Sequence, residues 1–200
     1  MRLRSQLNTL QSSIANRQQE SGSLPPMNLA SLHAENFQIV IKIMYAAALS
    51  YGLISDIKSL KIPNAVSVIV LALFFLNWWV AAPAEDLTKH LIVAGATLFL
   101  GFGIYVAGFM GAGDIKLITA LMLWAGTRDG FDFLIVMTLI GGVFASLLLI
   151  ARKSMAVWPS AQSYIPSRRM RMWAQRGIFP YGIAICTAGL LLMPSFFAAH

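Results

Sequence analysis

The chain has 200 residues but only eight carboxylates, three histidines and one cysteine, so the groups able to do chemistry are few. His33, His90 and His200 are scattered, and none belongs to an H-E-x-x-H pair, which leaves a zinc hydrolase without ligands. No metal is expected. A serine hydrolase is excluded as well, because there is no G-x-S-x-G elbow and no histidine placed to act as its base. Cys186 sits in an apolar stretch and reads as a small core residue. Among the carboxylates, Glu20 and Glu35 lie in a polar N-terminal stretch, while Glu85, Asp86, Asp129 and Asp132 lie in polar loops, where a solvated or helix-capping role is expected. Asp56 and Asp114 differ. Each stands at the border of an apolar stretch, and each opens the same tripeptide, Asp56-Ile57-Lys58 and Asp114-Ile115-Lys116. Two carboxylates brought to one site cannot both ionise cheaply and so share a proton: one anion takes a proton from water while the other donates to a carbonyl oxygen. That is aspartic-protease chemistry and needs no cofactor. A neighbouring cation, Lys58 or Lys116, would hold the base ionised. Two other readings stay open at this point: unrelated interfacial acids, each paired in solvent with the lysine two residues on, and a small transporter or scaffold in which Asp56 and Asp114 handle protons or a cation.

The elements that must position these acids are membrane helices. Hydrophobic residues make up 58% of the chain and charged residues 12%, with a mean hydropathy of +0.69, which excludes both a water-soluble globule and a disordered chain. One cysteine excludes a disulfide framework. The fold class is therefore an all-α polytopic membrane protein. Residues 1–36 are polar, contain Pro25-Pro26 and read as a flexible tail, and residues 37–200 as the transmembrane domain. Apolar stretches near the roughly 20 residues needed to cross about 30 Å of hydrocarbon place six spans at 37–55, 64–83, 88–107, 114–127, 131–151 and 178–198. The fourth is short enough to be re-entrant. Lys58, Lys61, Lys116 and the basic residues of 152–177 then share one side, and Lys89 and Arg128, with Glu85, Asp86 and Asp129, share the other. The first side is accordingly cytoplasmic and both termini are outside. Spans one and four carry Asp56 and Asp114 to a common depth on the cytoplasmic side.

The remaining charge follows from this layout. The net charge of +7 is accounted for by membrane-facing loops, so no nucleic-acid partner is expected. In 152–177 the basic residues alternate with Trp158, Tyr164 and Trp173, which favours contact with anionic lipid head groups over substrate docking. Lys42 either snorkels from its span or neutralises a buried carboxylate, and Trp78 and Trp79 read as interfacial anchors.

Around Asp114 the sequence is Gly108-Phe109-Met110-Gly111-Ala112-Gly113-Asp114, a run that either admits a substrate backbone close to the acid or packs helices tightly. Gly111-Ala112-Gly113-Asp114 resembles the G-x-G-D signature of membrane aspartic peptidases, and Ile115-Lys116-Leu117 continues it as in type IV prepilin peptidases. Asp56 through Ile62-Pro63-Asn64, an Asp followed by a short basic stretch and Ile-Pro-Asn, is similar to that family's first motif. Ile178-Phe179-Pro180-Tyr181-Gly182-Ile183-Ala184 resembles its last helix entry. The resemblance implies that Asp56 and Asp114 are a catalytic pair, supported by Gly111, Gly113, Lys116, Lys58, Pro63 and Asn64. Pro63 and Asn64 also have a structural role open to them, as the turn and cap that start span two. Lys116 is either an electrostatic partner of the acids or an interfacial snorkel.

By the same resemblance the expected activity is cleavage of the leader of a prepilin or pilin-like substrate, after a glycine, at the cytoplasmic face of a bacterial or archaeal cytoplasmic membrane. Long forms of the family add a cytoplasmic insert with paired cysteines and methylate the new N-terminus. This chain has no C-x-x-C and no glycine-rich nucleotide loop in a cytoplasmic segment, so a short-form peptidase without methyltransferase activity is expected. The anticipated partners are the substrate and membrane lipids.

Overall fold

In hydrocarbon every backbone amide must find its partner internally, and a helix achieves this within one segment. The computed structural model describes residues 29–81, 86–157 and 180–198. Its elements are α1 (Leu29–Ser59), α2 (Asn64–Ala81), α3 (Leu87–Val106), α4 (Ala112–Val157), α5 (Tyr181–Leu191) and α6 (Met193–Ala198), with no strand among the described residues. Most of the expected tail, Glu85, the aromatic and basic loop from Trp158 through Trp173, and His200 lie outside those residues. The chain divides into two units, Met1–Phe37 and Gln38–His200, and the site belongs wholly to the second.

By length and composition, Glu35–Ser59, Asn64–Ala81, Leu87–Val106 and Ala112–Lys153 can each cross a membrane. The six expected passes fit these helices because α4 is broken at Gly126 (φ 58°, ψ −153°) and supplies both the fourth and the fifth. Its first half, Ala112 to Gly126, is about 22 Å long at 1.5 Å per residue, short of a full hydrocarbon crossing. α5 with α6 forms the sixth. The first helix starts at Leu29 rather than Phe37, since residues 29–36 contain good helix formers and the nearest breakers are Pro25-Pro26.

Side-chain contacts fix the helix directions. Along α1 and α5, Asp56 meets Ile183, Gly52 meets Cys186, and Tyr45 and Leu49 meet Gly189, so the two run antiparallel. The second half of α4 runs antiparallel to α5 as well, with Gly141 against Ala184 and Phe133 against Phe196. The end of α1, the start of α2, the start of α4 and the start of α5 therefore share one end of the bundle. Between these helices lies an aromatic core. Trp124 packs edge-to-face against Tyr45 and Phe74 and tilted against Phe197, at centroid distances of 5.2, 5.6 and 4.7 Å, and its indole N–H donates to the Val70 carbonyl at 3.0 Å.

The opposite end carries the break. His90 is buried against Phe74 and Trp78, its Nδ1 lies 2.7 Å from the Leu123 carbonyl, and a Cβ on Gly126 would stand 2.5 Å from its ring. Two expectations change here. Trp79 is exposed as an anchor would be, but Trp78 packs inward on His90. Asp129 is not a solvated loop acid: it is buried, and its Oδ2 has no hydrogen-bond partner among the described residues. Asp86 does cap a helix, its carboxylate accepting from the Thr88 amide at 2.9 Å. Lys42 places its ammonium 5.4 Å from the Phe197 ring centroid, a cation–π contact rather than a pairing with an acid.

Candidate active site

The last turn of α1 carries Asp56 and must then reverse the chain. Leu60 makes that turn in the left-handed region (φ 56°), its amide closing on the Asp56 carbonyl at 2.8 Å, while the Ser55 hydroxyl donates to the Lys61 carbonyl at 3.0 Å. This tight exit aims Ile62 inward, where it is buried. Pro63 then starts α2, its carbonyl accepting from the Val66 amide at 3.0 Å. The Asn64 oxygen accepts from the Lys116 ammonium at 3.4 Å instead of capping its own helix, which alters the role expected for it.

Asp56 is 3% exposed, although it is a carboxylate at a helix end. Its Oδ2 accepts from the Ile183 amide at 3.1 Å, and the Gly182 amide points at the same group. These amides belong to the first turn of α5, whose own N-cap, Pro180, offers no side-chain acceptor. Asp56 thus caps α5 across the bundle. The approach requires a glycine, since a Cβ at 182 would lie 2.6 Å from Asp56 Oδ2 and 2.8 Å from Ile62 Cδ1. The sequence marked Pro180 as a helix entry but held no signal that the capping acid would come from α1.

Asp114 occupies the first turn of α4, where a negative charge suits the helix dipole. Its carboxylate folds over Gly111, 3.2 Å from where a Cβ would stand. Gly113 lets the chain approach the Ile62 carbonyl, 3.1 Å from a would-be Cβ. Ile62 therefore touches Gly182 beside Asp56 and Gly113 beside Asp114, and the two acids lie within electrostatic range of each other and of Cys186. Cys186 itself is a fully buried core thiol packed against Gly52.

Gly108, at φ 77°, turns the chain between α3 and α4. Lys58 and Lys116 are both exposed, and among the described residues no ion pair joins either to an aspartate. Among those residues, too, no cluster of three His, Cys, Asp or Glu side chains is placed to hold a metal. Both acids stand at helix ends rather than mid-span, where the proton- or cation-handling reading wanted them. The arrangement can present two carboxyl groups, one anchored by helix amides and one on a glycine-rich turn, to a bond held between them. No curated protein and no solved structure matches the chain. A family model described as the type IV leader peptidase family matches residues 43–150.

Proposed function

That match takes in more than half of the chain, which therefore belongs to the type IV leader peptidase family, and on this premise we propose that it is a membrane aspartic endopeptidase with Asp56 and Asp114 as its catalytic pair. The observation that supports the reading is that the two acids, carried by distant helices, lie within electrostatic range of each other, each carboxylate pressed against a glycine, Gly182 or Gly111, at which a Cβ would crowd it.

The two carboxyl groups hold one proton between them. The ionised member takes a proton from water, and the resulting hydroxide forms a bond to the scissile carbonyl carbon. The protonated member gives its proton to the carbonyl oxygen. Collapse of the tetrahedral diol then breaks the C–N bond: the amine leaves with the proton the first acid had gained, and the second acid takes back a hydroxyl proton as the carbonyl re-forms, which restores the shared proton. Burial beside helix amides keeps bulk water from screening these transfers.

The substrate is a prepilin-like protein, cut between its leader and its apolar segment on the cytoplasmic side of a bacterial or archaeal cytoplasmic membrane. What supports that side is the basic residues Lys58, Lys61 and Lys116 at the same end of the bundle as the acids. The absence of a paired-cysteine insert from the sequence supports cleavage without methylation. Purified protein in phospholipid vesicles, mixed with a prepilin, should release a shortened product with an unmodified N-terminus. Asp56→Asn or Asp114→Asn should abolish that product while the protein stays inserted. Normal turnover by either variant would refute the assignment.

A further inference from the structure

Loops at the end of a bundle ordinarily face outward, and between Asp56 and Val66 every residue but one does so at least in part. The exception is Ile62, 7% exposed. Its position is enforced from both sides. Leu60 takes a left-handed conformation disfavoured for a leucine, with its amide on the Asp56 carbonyl at 2.8 Å, and the Ser55 hydroxyl holds the Lys61 carbonyl at 3.0 Å. Pro63 follows, and a residue before a proline is kept out of the helical region. Isoleucine adds a β-branched side chain whose first torsion is itself restricted. Ile62 is thus a loop residue with little freedom in either backbone or side chain.

Its neighbours set it apart from ordinary core packing. The backbone of Ile62 rests on the start of α4, where a Cβ at Gly113 would stand 3.1 Å from the Ile62 carbonyl oxygen and 3.9 Å from Ile62 Cβ. Gly113 directly precedes Asp114. The far end of the side chain rests on the start of α5, where a Cβ at Gly182 would stand 2.8 Å from Ile62 Cδ1 and 2.6 Å from Asp56 Oδ2. The terminal methyl of Ile62 and the carboxylate of Asp56 therefore share the space over one glycine. The Ile183 amide holds Oδ2 at 3.1 Å, but the last torsion of an aspartate is broad, so one bond from α5 does not fix the carboxylate by itself.

We propose that Ile62 is a positioning residue of the peptidase site: seated on Gly113, it extends its terminal methyl over Gly182 and so limits where the Asp56 carboxylate can stand relative to Asp114. The inference rests on the proposed peptidase function. An isoleucine has no proton to exchange, so it acts on the chemistry through Asp56. The length of the side chain at 62 and the volume at 182 are then one matched quantity. Removing Cδ1 loosens the space that the carboxylate shares, and a methyl added at 182 overfills it. Making both changes restores part of the fit.

The test uses full-length protein in phospholipid vesicles and a substrate made of a short basic leader joined to an apolar segment of about 20 residues, with rates taken per inserted protein. Ile62→Val removes only Cδ1, a loss that folded cores tolerate, so the variant should insert as the unaltered protein does. Its kcat should fall about tenfold with KM held, as expected when a reacting group shifts by a fraction of an ångström. Gly182→Ala alone should lose about a hundredfold. The double variant should run about tenfold faster than Gly182→Ala, because the new methyl can settle where Cδ1 had been, whereas a merely structural role for Ile62 makes the second change a further loss. An unchanged kcat in Ile62→Val, or a double variant no faster than Gly182→Ala, overturns the positioning role while cleavage by the unaltered protein leaves the peptidase reading intact. No cleavage by the unaltered protein overturns both.

Discussion

The Asp56 carboxylate caps α5 and lies within electrostatic range of Asp114. In the proposed site, position 182 therefore sets where the Asp56 carboxylate can stand. A Cβ there would fall 2.6 Å from Oδ2, so Gly182→Ala must push the carboxylate aside. Misplacement of a reacting group by about 1 Å costs on the order of a hundredfold in rate. Gly182→Ala should accordingly lose about that much cleavage activity while still inserting, and an unchanged rate in the vesicle assay would show that the carboxylate is free to relax. Asp86 is a capping acid with no chemistry, and it titrates outside the spans. The Thr88 amide holds its carboxyl below the usual value of 3.8. A depressed folded-state pKa contributes stability above the unfolded value and loses it as pH falls through the folded one. Asp86→Ala should thus lower the melting temperature at pH 7, and the gap from the unaltered protein should shrink as the pH is taken below 3.8.

At the scale of elements, the least regular feature is the break in α4. Gly126, at φ 58° and ψ −153°, occupies a region nearly closed to other residues, and the His90 ring fills the space a side chain would need. Gly126→Ala should destabilise the detergent-solubilised protein by at least about 1–3 kcal/mol, read as a fall in unfolding temperature. The sequence showed a short apolar stretch at 114–127 followed by a new one, since composition reports how much chain is apolar. It could not show that the chain reverses sharply at Gly126 with so little intervening loop, because that depends on His90 arriving from α3. Leu60 was equally illegible: a leucine in the left-handed region is held there by the Ser55 and Asp56 bonds around it, not by its own preference. The helical class and the places of Asp56 and Asp114 at helix ends could be read early, because hydropathy and rare charges are local signals. The α5 cap, the burial of Asp129 and the partner of Asn64 could not, because each is a contact between distant segments.

Across the whole molecule, four helix ends meet, and a loop residue, Ile62, packs against both Gly182 beside the acid of α1 and Gly113 next to the acid of α4. The functional claim is that these acids act as one unit. Groups that act as a unit are strongly non-additive when removed, whereas independent contributions multiply. The deciding measurement is the rate of prepilin cleavage in vesicles by Asp56→Asn, Asp114→Asn and the double variant. Each single variant should fall by about a thousandfold or more, and the double should be no slower than the worse single. A single variant that keeps the unaltered rate, or a double whose loss is the product of the two, would contradict a shared catalytic pair.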